Sequence, residues 1–317
     1  MNKKALIIGI SGQDGAWLSK LLLEKKYSVI GTTRDIKDID KSKLKNLGIH
    51  REINFFELIP QSSDDVKKII ALNNPDEIYF LSGQSSVAQS FVKPKESINS
   101  IVLAYLNILE SIKDLNRDIK IYSAGSGECF GDSDKQIVNE TSPFLPRSPY
   151  AVSKIAAHQL TEVYRKSYGI YACTGFLFNH ESHLRPKHFV TQKIISSAIE
   201  IKQGSRNELK LGNIGISRDW GLASEYVVAM WLMLQKNQPD DFIIATGKTY
   251  SLENFIEETF NYLGLNWKDY VSYDTTLLRP YDIKSNYADP SKAKDVLNWE
   301  AKSEMGEVIK QMIDNYY

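Results

Sequence analysis

Cysteine is nearly absent from this 317-residue chain: Cys129 and Cys173 are its two thiols. Two thiols are too few for a disulfide framework or a cysteine zinc site, and both lie in apolar, strand-like surroundings that read as reduced core. No metal site is expected. Long hydrophobic runs are missing as well. The apolar run nearest the N-terminus ends after six residues at glycines, too short for a signal-peptide core or a membrane span, so a cytoplasmic protein without a membrane partner is expected. Nor does one sign of charge dominate. Lysine plus arginine and aspartate plus glutamate both total 39, with no long basic run, which argues against a nucleic-acid partner.

What is present is a 42% hydrophobic composition, enough to bury a substantial core, without internal repeats, low-complexity tracts or flexible linkers. The apolar run Ala5 to Ile10, a glycine-bearing turn, an amphipathic stretch from Gly15 to Lys26 and a second apolar run at Tyr27 to Gly31 make a βαβ unit. The alternation continues. Strands are expected at Ile53 to Phe56, Glu77 to Leu81, Lys120 to Ser123 and Tyr171 to Phe178. Helices are expected at Asp64 to Asn73, near Ile98 to Asp114 and at Ala151 to Tyr168. This pattern predicts an α/β fold, a doubly wound parallel Rossmann sheet with a smaller C-terminal substrate-binding lobe. Residues 1–180 are assigned to the dinucleotide-binding domain and 181–317 mainly to the lobe, with segments returning to the first domain. Val190 to Gln203 and Ser224 to Gln235 are read as lobe helices.

Gly9-Ile-Ser-Gly12-Gln13-Asp14-Gly15 falls between the first strand and the first helix. Small residues there let the backbone turn tightly and approach a pyrophosphate at the positive end of the helix. At the end of the second strand, Arg34 suits the 2′-phosphate of NADP and Asp35 the ribose hydroxyls of NAD. Arg34 comes first and has the reach, so NADP is favoured, with NAD the alternative. Glu57 and Leu58, after the third strand, are placed to touch the adenine.

Tyr150 and Lys154, four apart on one predicted helix, reach the same ligand. A lysine ammonium beside a phenol favours the phenolate and can also hold the nicotinamide ribose. Ser126 and Glu128 follow the Lys120 strand at the carboxyl edge of the sheet, where open α/β folds bind ligands. Ser126 can share a substrate hydroxyl's proton with Tyr150, and Glu128 is a candidate acid or base.

Together the glycine loop, Ser126 and the Tyr150/Lys154 pair resemble the extended short-chain dehydrogenase/reductase superfamily. Further segments run through nearly the whole chain: Gly12-Gln-Asp-Gly15, Pro146-Arg-Ser-Pro-Tyr-Ala-Val-Ser-Lys154, Leu177-Phe-Asn-His-Glu-Ser182, Phe189-Val-Thr-Gln-Lys193, Arg218-Asp-Trp-Gly221 and Ile244-Ala-Thr-Gly247. These resemble GDP-mannose 4,6-dehydratases. The resemblance implies a GDP-sugar substrate, GDP-mannose or a related hexose or heptose. It also implies a redox-neutral sequence: oxidation at C4, loss of water across C5/C6, and hydride return to C6. Tyr150 would then be the base at C4, Lys154 would tune it, Ser126 would bind the C4 oxygen, and Glu128 would move the C5 and C6 protons. By the same resemblance Ser85 would bind the sugar or phosphate, Asn179, Lys193, Arg218 and Arg279 would hold the nucleotide, and Asp282 would address the guanine edge. A homodimer or homotetramer is implied, pairing the helix near Ile98 and the Tyr150 helix in a four-helix contact.

This chain departs from the family at two places. It reads Ser126-Gly127-Glu128 where the family has threonine, serine and glutamate, and it carries Asp35 where members usually have another arginine. Gly127 supports a second reading, a GDP-4-keto-6-deoxy-sugar reductase or epimerase that needs no elimination. A third, a non-catalytic dinucleotide-sensing protein, would be favoured by loss of Tyr150 or Lys154, and both are present.

Overall fold

The computed structural model describes residues 2–132 and 136–316. Among them, seven strands form one sheet in the spatial order Phe242–Ile244, Ala172–Leu177, Lys120–Ala124, Glu77–Phe80, Lys4–Ile8, Ser28–Thr33, Asn54–Glu57. Every neighbouring pair is parallel. Both faces are covered, and the first strand shows why: Ala5 and Ile7 enter one apolar cluster while Leu6 and Ile8 enter the other. The helix Gln13–Glu24 supplies Leu18 and Leu22 to the first cluster, and the helices Ser63–Asn73, Ala104–Leu115 and Pro149–Tyr168 supply Ile70, Ile108 and Ala157 to the second. The first strand lies between the second and the fourth. Chain connections therefore leave it in opposite directions, which opens a crevice at the strands' carboxyl ends.

A second body of structure is a three-stranded sheet, Thr249–Ser251, Ser217–Leu222 and Asn179–Glu181. The helices Val190–Lys202, Leu252–Tyr262 and Met305–Asp314 share its core, where Ile195, Trp220, Phe255 and Met312 are buried.

Two segments differ from the sequence expectation. Ser224 to Gln235, read as a lobe helix, is the helix Ala223–Leu234, and it buries Tyr226, Val227, Met230 and Met233 in the same cluster as Leu18 and Leu22. Its residues are apolar nearly all round, so it requires cover on more than one side, which the large sheet and the first helix provide. The long helix near Ile98 is interrupted: Pro94–Ser97 leads through a π-helical turn at Ile98–Leu103 into Ala104–Leu115. Beside that turn the Ser100 hydroxyl donates to the Glu96 carbonyl (2.6 Å) and accepts from the Gln84 amide (3.1 Å), which fixes the loop carrying Ser85.

Candidate active site

The glycine loop sits at the mouth of the crevice. Gly9 has φ +105°, and a Cβ on Gly15 would lie 2.4 Å from the Gly9 carbonyl oxygen, so neither position accepts a side chain without moving backbone. Gly12 is exposed and caps the helix that begins at Gln13, aiming unpaired amides outward. The adjoining cleft, about 570 Å³, is lined by Gly9, Gly12, Gln13, Asp14, Gly15, Arg34, Leu58 and Ser85. An anionic dinucleotide fits this donor set and volume.

Arg34 is exposed at the cleft's rim, whereas Asp35 is not among its lining residues and accepts a hydrogen bond from the Lys37 amide (2.7 Å). Leu58 is buried in the wall, but Glu57 is exposed and outside the lining. Gln13 and Asp14 turn their side chains to the other body. The Gln13 amide donates to the His180 carbonyl (3.1 Å) and accepts from the Ser182 hydroxyl (2.9 Å), and Asp14 Oδ2 lies 2.9 Å from His180 Nε2.

Beyond the cleft a second cavity, about 240 Å³, brings together Ser85, Ser126, Gly127, Glu128, Tyr150, Lys154, Asn179, Arg218 and Arg279. The helix Pro149–Tyr168 is started by Ser148, which accepts from the Ala151 amide (3.1 Å), and by Pro149 in its first turn. Tyr150 and Lys154 consequently fall on consecutive turns facing the end of the Lys120–Ala124 strand. Lys154 Nζ donates to the Ala124 carbonyl (2.6 Å) and lies 5.7 Å from the Tyr150 ring centre. Burial lowers the Lys154 ammonium to about 8. Burial also raises the Tyr150 phenol, partly offset by a hydrogen bond with Ser126. Ser126 itself caps the short turn Gly127–Phe130 by accepting from the Glu128 amide (3.2 Å).

Glu128 reaches the cavity from that turn. Burial raises its carboxyl above the ordinary value, against the opposing pull of Arg218 and Arg279. The nearest approach to Arg218 is 4.0 Å. Arg218 is itself buried and held by the carbonyls of Ser217 and Ile283, each at 2.8 Å. Arg279 pairs with Asp282 at 3.3 Å. Asp282 thus stands one residue back from the cavity, and Lys193 stands outside it, donating to the Lys210 carbonyl (2.6 Å).

The structure adds residues that the sequence reading did not select. Arg185 lines both cavities, its guanidinium 3.2 Å from buried Glu181 and 3.8 Å above the Phe189 ring. His188, Phe189 and Thr191 complete the same wall. The available signal was their position just after the Phe-Asn-His-Glu-Ser segment. An arginine in a turn segment shows no helical or strand period, so only Asn179 and Lys193 are selected by sequence from residues 177–193.

Comparison with known proteins gives a consistent picture. A family model described as GDP-mannose 4,6 dehydratase matches residues 6–312. GDP-mannose 4,6 dehydratase 1 of Arabidopsis thaliana is 42% identical, covering 98% of this chain and 89% of the relative. The GDP-mannose 4,6-dehydratase of Vibrio cholerae is 36% identical over 99% and 93%. Among solved structures, dTDP-glucose 4,6-dehydratase from Bacillus anthracis in complex with NAD superposes with TM-score 0.86 at 19% identity, covering 99% of this chain and 96% of that one. UDP-glucose 4-epimerase from Thermotoga maritima also superposes with TM-score 0.86, at 21% identity and 98% coverage of both chains. At such identities these structures speak for the fold.

Proposed function

This chain belongs to the GDP-mannose 4,6-dehydratase family, and from that premise we propose how its residues divide a redox-neutral dehydration. The activity is that of a GDP-sugar 4,6-dehydratase, a lyase that turns GDP-mannose into the GDP-4-keto-6-deoxy sugar. The carrying observation is that Glu128, with its raised carboxyl, shares one small cavity with Ser126, Tyr150 and Lys154. A reductase or epimerase needs the last three, whereas elimination needs an added acid or base of this kind.

Gly9, Gly12, Gly15, Arg34 and Leu58 would hold an oxidised dinucleotide in the cleft, where it would supply the hydride acceptor for C4 and, once reduced, the hydride donor for C6. Tyr150 removes the C4 hydroxyl proton, and Ser126 holds that oxygen. The Lys154 ammonium favours the phenolate and holds the cofactor ribose. Glu128 takes the proton from C5, acidified by the neighbouring ketone, and delivers it to the departing C6 hydroxyl, which leaves as water; as hydride reaches C6, C5 regains the proton that Tyr150 took from the C4 hydroxyl. A carboxyl with a raised pKa suits both directions. Asn179, Arg218 and Arg279 hold the GDP moiety from the cavity side, Ser85 touches the sugar or phosphate, and Asp282 orients Arg279 beside the guanine. Lys193 is the outermost of the proposed nucleotide contacts.

The cofactor is NADP, with NAD as the alternative. Arg34 on the cleft rim favours the 2′-phosphate, and the Asp35 carboxylate is engaged by its own loop. Residues 1–180 mainly bind the cofactor, and 181–317 mainly the nucleotide sugar. No helix among the described residues is long and apolar enough to cross a membrane; we place the protein in the cytoplasm. A homodimer is supported by the half-exposed Ile98 and Leu103 on one helix and Val152 and Val163 on its neighbour, apolar stripes suited to a four-helix contact. A homotetramer is the larger alternative.

Incubating the purified protein and its copurified cofactor with GDP-mannose, with no reductant added, tests the activity. Loss of one water from the nucleotide sugar is expected. An unchanged mass, with NADPH-dependent reduction of the 4-keto sugar instead, would establish the reductase that Gly127 favours.

A further inference from the structure

His180 occupies an unusual electrostatic position for a buried imidazole. Its Nε2 lies 2.9 Å from Asp14 Oδ2, and its Nδ1 lies 2.8 Å from the Phe178 carbonyl oxygen. A carbonyl and an ionised carboxylate only accept hydrogen bonds, so both ring nitrogens carry protons when Asp14 is charged. The ring also stacks on Tyr226, centres 4.9 Å apart at 22°, an arrangement that favours a cation. The second Asp14 oxygen accepts from the Gln13 amide (3.1 Å), which favours the carboxylate. These contacts tie the start of the glycine-loop helix to the strand Asn179–Glu181, more than 160 residues away in sequence. Asp14 and His180 also both line the catalytic cavity.

We propose that Asp14 and a protonated His180 form a clasp across the mouth of the cofactor cleft that keeps the dinucleotide resident through the catalytic cycle. The proposal rests on the redox-neutral reading above. A cofactor that takes a hydride from a substrate and returns it to the same substrate must not leave between the two steps. His180 is therefore a positioning residue, acting through Asp14 and the glycine loop.

Four charged or titratable groups face the pair: Arg185 from the loop after the strand, Tyr226 from the helix Ala223–Leu234, Lys154 from the catalytic helix, and Tyr122 from the strand Lys120–Ala124. Burial opposes the His180 charge, but Asp14 outweighs it and raises the ring's pKa above the ordinary value. Burial likewise opposes the Asp14 charge, and His180 reverses it, leaving the carboxyl below the usual range. The sign follows. The imidazolium contribution is complete below the unfolded histidine value and is lost as pH rises through the raised folded one.

Two measurements on the full-length holoprotein test the clasp without substrate, so they can fail while dehydration stands, and the reverse. In ¹⁵N-histidine spectra, where His180→Gln identifies the signal among five histidines, both ring nitrogens should be protonated at neutral pH. An unprotonated Nε2 would make the pair neutral and overturn the proposal. Release of bound NADP after desalting should accelerate about tenfold or more in His180→Gln and Asp14→Asn. Release from the wild type should also quicken with rising pH through the His180 titration. Lys154, whose ammonium burial lowers to about 8, is retained in His180→Gln, so the difference between the two profiles belongs to His180. Equal release rates, or identical pH profiles, would sink the idea. Should His180→Gln fail to fold, the spectrum, assigned by the effect of Asp14→Asn, still decides.

Discussion

The cofactor cleft and the cavity beside it are adjacent, but they are made of different materials. The cleft is shaped by backbone: a glycine turn over residues 9–15, the end of a helix and the ends of neighbouring strands, with Arg34 as a charged side chain on its rim. The cavity is shaped by side chains gathered from afar, Glu128 from a turn, Tyr150 and Lys154 from a helix, Arg218 from a second sheet and Arg279 from a loop. A backbone-built site is sensitive to any added Cβ and tolerant of most side-chain changes. A site built of side chains depends on particular functional groups and on their electrostatic surroundings.

That contrast can be broken or sharpened by substitution. The largest effect is expected from Tyr150→Phe, which should cut turnover of GDP-mannose about 10⁴-fold while the protein still elutes with its cofactor. Retention of most activity would remove Tyr150 from the C4 step. Glu128→Gln should cost about 10²-fold, and its signature is specific: C5 exchange with solvent deuterium is lost while reduction of the cofactor by substrate persists. In the wild type the same exchange should fall as pH drops through the Glu128 titration, above the ordinary carboxylate value, because the basic form is then lost. Exchange at the normal rate in the variant would show that another group removes the proton.

On the cleft side, Gly15→Ala drives a methyl group into the Gly9 carbonyl and the Ile10 backbone. A destabilisation of about 1–3 kcal/mol is expected, visible as a lower thermal midpoint and reduced cofactor content. Turnover per bound cofactor should stay near that of the wild type. The smallest effect should come from Arg34→Ala, weakening NADP about tenfold and leaving NAD unchanged. If both dinucleotides weaken equally, Arg34 does not read the 2′-phosphate.

The same division explains which features could be read before the fold was known. The strands from Lys4 to Leu177, the glycine loop and the Tyr150/Lys154 pair are visible because each depends on a local period or a short spacing, and their elements begin and end within a few residues of expectation. The helix Ala223–Leu234 was placed on the wrong body because an apolar segment reveals that it is buried without revealing against what. Glu57 and Leu58 are neighbours in sequence, yet only Leu58 lines the cleft, since successive residues leaving a strand face opposite ways. Arg185 was missed because its contacts with Glu181 and the Phe189 ring, each four residues away, lie in a turn segment without helical or strand period, and only the fold shows that this segment walls both cavities.

Hydrophobic alternation, glycines at a strand-to-helix turn and a four-residue spacing on one helix were enough to specify a dinucleotide-binding α/β fold, because each is a short-range consequence of backbone geometry. The approach of Glu128 to Arg218, the pairing of Arg279 with Asp282 and the Asp14–His180 contact belong to the folded state alone. They join residues up to 166 positions apart, and the burial that shifts the Lys154 and Glu128 titrations exists only when the two bodies close around one cavity.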